Sequence, residues 1–338
     1  MKNKKWIALA AAVVLAVTAL PMGVFAAKKD STEEKLTKVT LNEVAHSIFY
    51  APQYVAIEEG YFAEKGLDLT LVTGFGADKT MTAVISGEAD IGFMGAEASV
   101  YAYQEGATDP VVNFAQLTQR AGNFLVAREE MPDFKWEDLK GEKVLGGRKG
   151  GMPEMVFEYI LKKNGIDPQK DLTIDQSIDF GSTAAAFTSD DSAAYTVEFE
   201  PSATILEKEG AGYVVASLGE ASGYVPYTSY STKASYMKEN PEIIQKFTDA
   251  LQKGMDYVQN HTPEEIAEVI APQFKETDLE TITAIVKRYY DQDTWKENLI
   301  FEKDSFELLQ DILEDAGELT DRTAYENLVQ TEYAQKAC

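Results

Sequence analysis

Between Lys38 and Gly106 the chain alternates short apolar runs with amphipathic stretches: a strand, a helix, a second strand, a glycine turn, a second helix and then Ala89-Asp90-Ile91-Gly92-Phe93-Met94. That alternation is the grammar of βαβ units, and it restricts the chain to α/β folds built on a mostly parallel sheet. In such sheets the loops at the carboxyl ends of the strands form the ligand crevice. The residues at those ends are the first functional candidates: His46, Phe49 and Tyr50, then Gly74 and Phe75, then Met94, Gly95 and Glu97.

The periodicity supplies the detail. Val39 to Val44 reads as the first strand, and the next helix aligns Tyr54, Ile57 and Tyr61 on one face. Gly60 is placed to cap that helix, and Gly66 turns the chain into the strand Leu67 to Val72. Met81, Val84 and Ile85 give the second helix its apolar stripe before Gly87 closes it. After the strand Val111 to Ala115 the pattern restarts with Trp136 to Gly141, the strand Lys143 to Leu145, and glycines at 146, 147, 150 and 151 ahead of the helix Pro153 to Lys163. Strands at 172–174, 193–197 and 213–216, with helices at 183–187 and 201–209, complete a second α/β unit inserted within the first. From Tyr236 onward the chain reads as almost wholly helical, with stripes such as Ile243, Phe247, Leu251 and Ile282, Ile285, Val286, expected to pack on the first unit.

The N-terminus stands apart. Lys2, Lys4 and Lys5 precede an apolar run from Trp6 to Leu20 and a small-residue cleavage site at Val24-Phe25-Ala26, the layout of a secretory signal peptide. Pro21 interrupts that run at about 15 residues, short of the roughly 20 a membrane span needs. Cleavage after Ala26 leaves Ala27, not a cysteine, so no lipoprotein anchor is expected and the mature chain has no segment for membrane insertion. The organisation expected is a signal peptide over 1–26, a spacer over 27–37, a first lobe over 38–122, a second lobe over 123–225, and a return to the first lobe over 226–338.

Charge and cysteine usage narrow the function classes. Losing Lys2, Lys4 and Lys5 takes the formal charge from −25 to −28. A surface so acidic opposes nucleic-acid and anionic-membrane partners. With Cys338 alone, no disulfide forms within the chain and no Cys-ligated metal site is expected. Neither P-loop, nucleophile elbow, H-E-x-x-H nor C-x-x-C occurs, so no cofactor and no catalysis are expected.

Further candidates come from chemistry at predicted strand ends. The glycine-rich loop Gly146 to Gly151 with Arg148, followed by Met152 and Pro153 at a helix start, offers backbone N–H groups and a guanidinium to an anion. Arg120 lies beyond the last strand of the first unit, with a surface ion pair as the alternative. Tyr195 and Tyr227 are candidates for aromatic walls, and Glu198 for accepting hydrogen bonds from amines, with a favourable helix start as its alternative role.

His46 to Pro52 leading to Gly60-Tyr61-Phe62, then Gly66-Leu67-Asp68-Leu69, Gly87 to Gly92, Trp136 to Gly141, and Glu200-Pro201 with Leu206 to Gly210, occur in an order that resembles the substrate-binding proteins of ABC importers for sulfonates, taurine, nitrate and thiamine-pyrimidine precursors. The resemblance implies a two-lobed periplasmic-binding-protein fold of the second type, closing by a hinge on a small-molecule ligand, with an ABC permease and ATPase as partners and a monomeric, exported chain. A soluble sensor for a membrane receptor is the alternative, and a pyrimidine-synthesis enzyme a further one. Those enzymes carry a cysteine-rich motif that this chain lacks. Pyrimidine-binding members carry a histidine where Tyr50 stands.

Overall fold

The computed structural model describes residues 35–338; the expected signal peptide over 1–26, and the spacer as far as Glu34, lie outside the described residues. Two five-stranded mixed sheets with flanking helices make up the fold. The first contains β1 (Thr37–Glu43), β2 (Leu67–Thr73), β3 (Ile91–Met94), β4 (Val111–Thr118) and β10 (Thr228–Lys233), in the order β2-β1-β3-β10-β4. The second contains β5 (Asn123–Ala127), β6 (Lys143–Leu145), β7 (Thr173–Asp175), β8 (Tyr195–Phe199) and β9 (Tyr213–Ser217), in the order β7-β6-β8-β5-β9.

The parallel core follows from the apolar runs. Leu41 of β1 sits in register with Leu71 of β2 and Ile91 of β3, stacking apolar residues across three parallel strands. In the second sheet β6 runs parallel to both β7 and β8. Each sheet also takes one antiparallel strand from next to a crossover, β10 between β3 and β4 and β5 between β8 and β9. The chain therefore passes between sheets twice, at 119–122 and after the helix Leu218–Ser222.

Sequence pattern misses both antiparallel strands. β10 reads Thr-Ser-Tyr-Ser-Thr-Lys, which has no apolar alternation, yet five of its six residues are buried. Most of its hydroxyls make that burial tolerable: Ser229 donates to Asn113 Oδ1 at 2.6 Å, Thr232 to the Asp90 carbonyl at 2.6 Å, and the Thr228 and Thr118 hydroxyls meet at 2.5 Å, while Ser231 Oγ is left without a partner. Buried polar groups with partners cost little. β4 lies at the sheet's edge and is buried throughout because the C-terminal segment covers it: Gln116 N–H donates to the Leu299 carbonyl, and Asn113 and Thr118 bridge to Val329 and Trp295.

The helical C-terminal region packs on the first lobe. The 20-residue helix Pro241–Asn260 approaches the helix Ala51–Glu58 so closely that a Cβ on Gly254 would lie 2.3 Å from the Pro52 carbonyl oxygen. The same region reaches the second lobe as well, which the apolar stripes did not foretell. Arg288, on the helix Leu279–Asp291, pairs with Glu200 at 2.6 Å and Glu207 at 2.7 Å, and Lys162 donates to the Asp315 carbonyl. One helical stripe is corrected: Ile85 is half-exposed, and the buried face of that helix is Thr80, Met81, Ala83 and Val84.

Candidate ligand-binding site

The carboxyl ends of the two sets of parallel strands face each other, and a seam of interlobe contacts marks the line. After β3, Gly95 and Ala96 lead into the helix Glu97–Gln104. A Cβ on Gly95 would fall 2.0 Å from a carboxylate oxygen of Glu97, so only glycine leaves room for that side chain to fold back. Across the seam, Gly151 caps the helix Met152–Lys163, whose first N–H groups are free of intrahelical partners. The Met152 N–H and the N–H of Glu97 itself lie near enough to the Glu97 carboxylate to favour its charged form. One turn along, the Tyr101 hydroxyl donates to the Gly150 carbonyl at 3.2 Å and contacts Met155 Sδ at 3.6 Å.

Glu97 is only 3% exposed, and its Oε2 has no hydrogen-bond partner. Burial pushes its pKa up to about 7, with the two backbone N–H groups partly opposing the shift. Tyr50 and Tyr227 both lie near enough to feel its charge. Burial first, then the Glu43 and Glu97 carboxylates, hold the Tyr50 phenol far above its ordinary range. Burial also dominates at Tyr227, followed by Tyr50 and Glu97, and the Tyr227 hydroxyl reaches Asn123 Oδ1 at 3.4 Å. Asn123 is fully buried and its Nδ2 makes no hydrogen bond. Tyr50, Glu97, Tyr227 and Asn123, with the Met152 N–H, thus form one buried polar cluster between the lobes. Tyr101 and Asn123 escaped the sequence reading. Tyr101 carried a usable signal, standing four residues after Glu97 on the same helical face.

Several candidates fall elsewhere. His46, for which a structural hydrogen bond is the alternative to a ligand contact, is held within the scaffold: its Nδ1 meets Glu43 Oε1 at 2.8 Å and its Nε2 the Gln273 carbonyl at 3.0 Å, so both ring nitrogens are used. Phe49 packs in an aromatic core with Phe199, Tyr227 and Tyr289. Met94 belongs to a small core with Met81, Val84 and Ala98. Tyr195 begins β8, at the end opposite Glu198, and packs on Phe134 with its hydroxyl 3.3 Å from Met131 Sδ. Arg120 donates to the Gly219 carbonyl and stacks 4.3 Å from the centre of the Tyr224 ring, beside the crossovers rather than in the seam.

Arg148 spans the lobes at the rim, pairing with Asp78 at 3.1 Å where both side chains are more than half exposed. Gly74 and Phe75 share that rim. Phe75 is 76% exposed at a φ of 57°, a left-handed backbone that few aromatic residues adopt. Glu198, near the carboxyl end of β8, accepts hydrogen bonds from the Thr196 and Thr183 hydroxyls, and burial pushes its pKa up to about 7. Its Oε2 also has no partner. A cavity of about 360 Å³ lined by Phe124, Lys287, Arg288 and Gln292 lies away from this seam, and its cations are already paired with Asp291, Glu200 and Glu207. Among the described residues no cluster of His, Cys, Asp and Glu could hold a metal ion, and no helix is long and apolar enough to cross a membrane.

Comparison with known proteins identifies the lineage. The family model described as NMT1/THI5 like matches residues 48–266. A curated protein named "Putative binding protein YtlA", from Bacillus subtilis (strain 168), is 47% identical over 312 residues, covering 92% of this chain and 93% of that protein. The chain belongs to the NMT1/THI5-like family. The riboflavin-binding protein RibY of Chloroflexus aurantiacus is 25% identical over 236 residues, covering 68% of this NMT1/THI5-like chain and 65% of RibY. Among solved structures, the alkanesulfonate-binding protein SsuA of Xanthomonas axonopodis pv. citri, bound to MOPS, superposes with a TM-score of 0.69 at 15% identity, covering 87% of this chain and 98% of SsuA. At that identity the match speaks for the fold, which the NMT1/THI5-like chain shares with periplasmic binding proteins.

Proposed function

We propose that this chain captures a small organic solute between its lobes outside the cytoplasm and delivers it, as a monomer and without chemical change, to the permease and ATPase of an ABC importer. The observation that carries the reading is the seam: Glu97, Tyr50 and Tyr227 gather beside the Met152 N–H where the strand ends of both lobes meet. Buried polar atoms without partners are costly in a core, so Glu97 Oε2 and Asn123 Nδ2 are best accounted for as groups a ligand satisfies. The tyrosines offer aromatic walls to a solute with a flat part, a reading in keeping with the riboflavin named for RibY. Two chain crossings between the sheets supply a hinge.

Native mass spectrometry of the protein exported by its own host tests the whole reading in one spectrum. The mass should correspond to a chain beginning at Ala27, with a non-covalent solute attached. Adding that solute to stripped protein should shrink the radius of gyration in small-angle scattering and stabilise the fold by about 2.7 kcal/mol at a hundredfold excess over Kd. A chain beginning at Met1, or a radius indifferent to the solute, would overturn it.

A further inference from the structure

We propose that Glu97 is a specificity determinant: by seating its own carboxylate on the N-terminus of the helix Met152–Lys163 it bars anionic solutes from the cleft and reserves its free oxygen for a solute that donates a hydrogen bond. The inference deepens the reading above and rests on it. A helix N-terminus favours negative charge because its first N–H groups point outward without partners. In the NMT1/THI5-like chain the seat beside the Met152 N–H is taken by a side chain from the opposite lobe, in room that the missing Cβ of Gly95 leaves for it.

Among the described residues no cation is found acting on that carboxylate. The cations of the neighbouring loop look outward, Arg148 to Asp78 and Lys149 to Glu318 at 3.4 Å. Arg120 lies beside the crossovers, where one terminal nitrogen donates to the Gly219 carbonyl, the guanidinium stacks on Tyr224 and its Nε is buried without a partner. An anion entering the seam would meet the Glu97 carboxylate at close range in a buried setting, where like charges repel strongly. A neutral or cationic solute with an N–H or O–H group would instead satisfy Glu97 Oε2, the atom that the fold leaves without a partner at 3% residue exposure.

Full-length mature protein, wild type, Glu97→Ala and the isosteric Glu97→Gln, would be titrated at pH 8.5 with methanesulfonate and with nitrate and followed by thermal shift and calorimetry. Wild type should show no shift with either anion up to about 10 mM. Glu97→Ala should bind methanesulfonate with a Kd at least about tenfold below any wild-type value, and Glu97→Gln should fall between. Equal binding by wild type and Glu97→Ala, or binding by neither, overturns the inference. A co-purified solute that is anionic at pH 7 overturns it too while leaving the importer reading intact. The anion titration is decisive whether or not any solute co-purifies.

Discussion

Three buried glutamates, two in scaffold networks and one in the seam, show how similar burial can serve different ends. Glu43 is fully buried and accepts from Gln53 Nε2, the Tyr54 hydroxyl, the Thr73 hydroxyl and His46, so every lone pair that matters has a donor. Glu200 is 2% exposed and is held by Arg288 and by the Thr204 N–H and hydroxyl. Glu97, at 3% exposure, is nearly as buried, yet has an oxygen with no donor at all. The first two are scaffold, Glu43 tying β1 to β2 and the helix Ala51–Glu58, Glu200 tying the loop after β8 to the helical region. Burial alone therefore says little about function, and the donor left missing says more.

The largest test of that contrast removes the cation from the scaffold side. Arg288→Ala strands a carboxylate with a fully buried side chain, and stability measured by denaturant unfolding should fall by about 3–5 kcal/mol. Adding Glu200→Gln should restore most of the loss, because the uncompensated charge goes with it. A loss that persists in the double variant would mean packing, not pairing, is what Arg288 provides.

The seam side predicts a smaller effect of opposite sign. Glu97 has an ordinary pKa of 4.5 and a folded value pushed up to about 7, so its contribution to stability is full below 4.5 and lost as pH rises through 7. Glutamine has no proton to lose. Relative to wild type, Glu97→Gln should gain on the order of 1–3 kcal/mol between pH 5 and pH 8, read as a difference of differences in unfolding experiments at the two pH values. Parallel pH profiles would remove Glu97 from the class of uncompensated buried acids and blur its distinction from Glu200.

The smallest effect belongs to the rim. Arg148 and Asp78 are 59% and 60% exposed, and such pairs contribute under about 1 kcal/mol. Arg148→Ala should leave stability within that margin and, lying outside the polar cluster, should change affinity for the native solute by less than about fivefold. A hundredfold loss in calorimetry would move the arginine into the site and favour an anionic ligand.

Much of this architecture was legible in the residues. The apolar runs around Leu41, Leu71 and Ile91 specified parallel strands, and strand-end reasoning led to Tyr50 and Glu97, because both depend on local periodicity. β10 was illegible because its hydroxyls find donors and acceptors only in β3, β4 and their neighbours, which no pattern within the strand records. His46 looked available for the same reason: Gln273, which occupies its Nε2, is 227 residues away.

Sequence by itself determined which faces would be buried and where the chain would turn, since period-2 and period-3.6 patterns and glycine positions act within a few residues of one another. Only the tertiary structure decided the partner of each charge. Arg148 reaches Asp78 across 70 residues and Arg288 reaches Glu200 across 88, while Glu97 faces a helix N-terminus that belongs to the other lobe. Electrostatic roles depend on distance and dielectric in three dimensions, and those exist only once the lobes have docked.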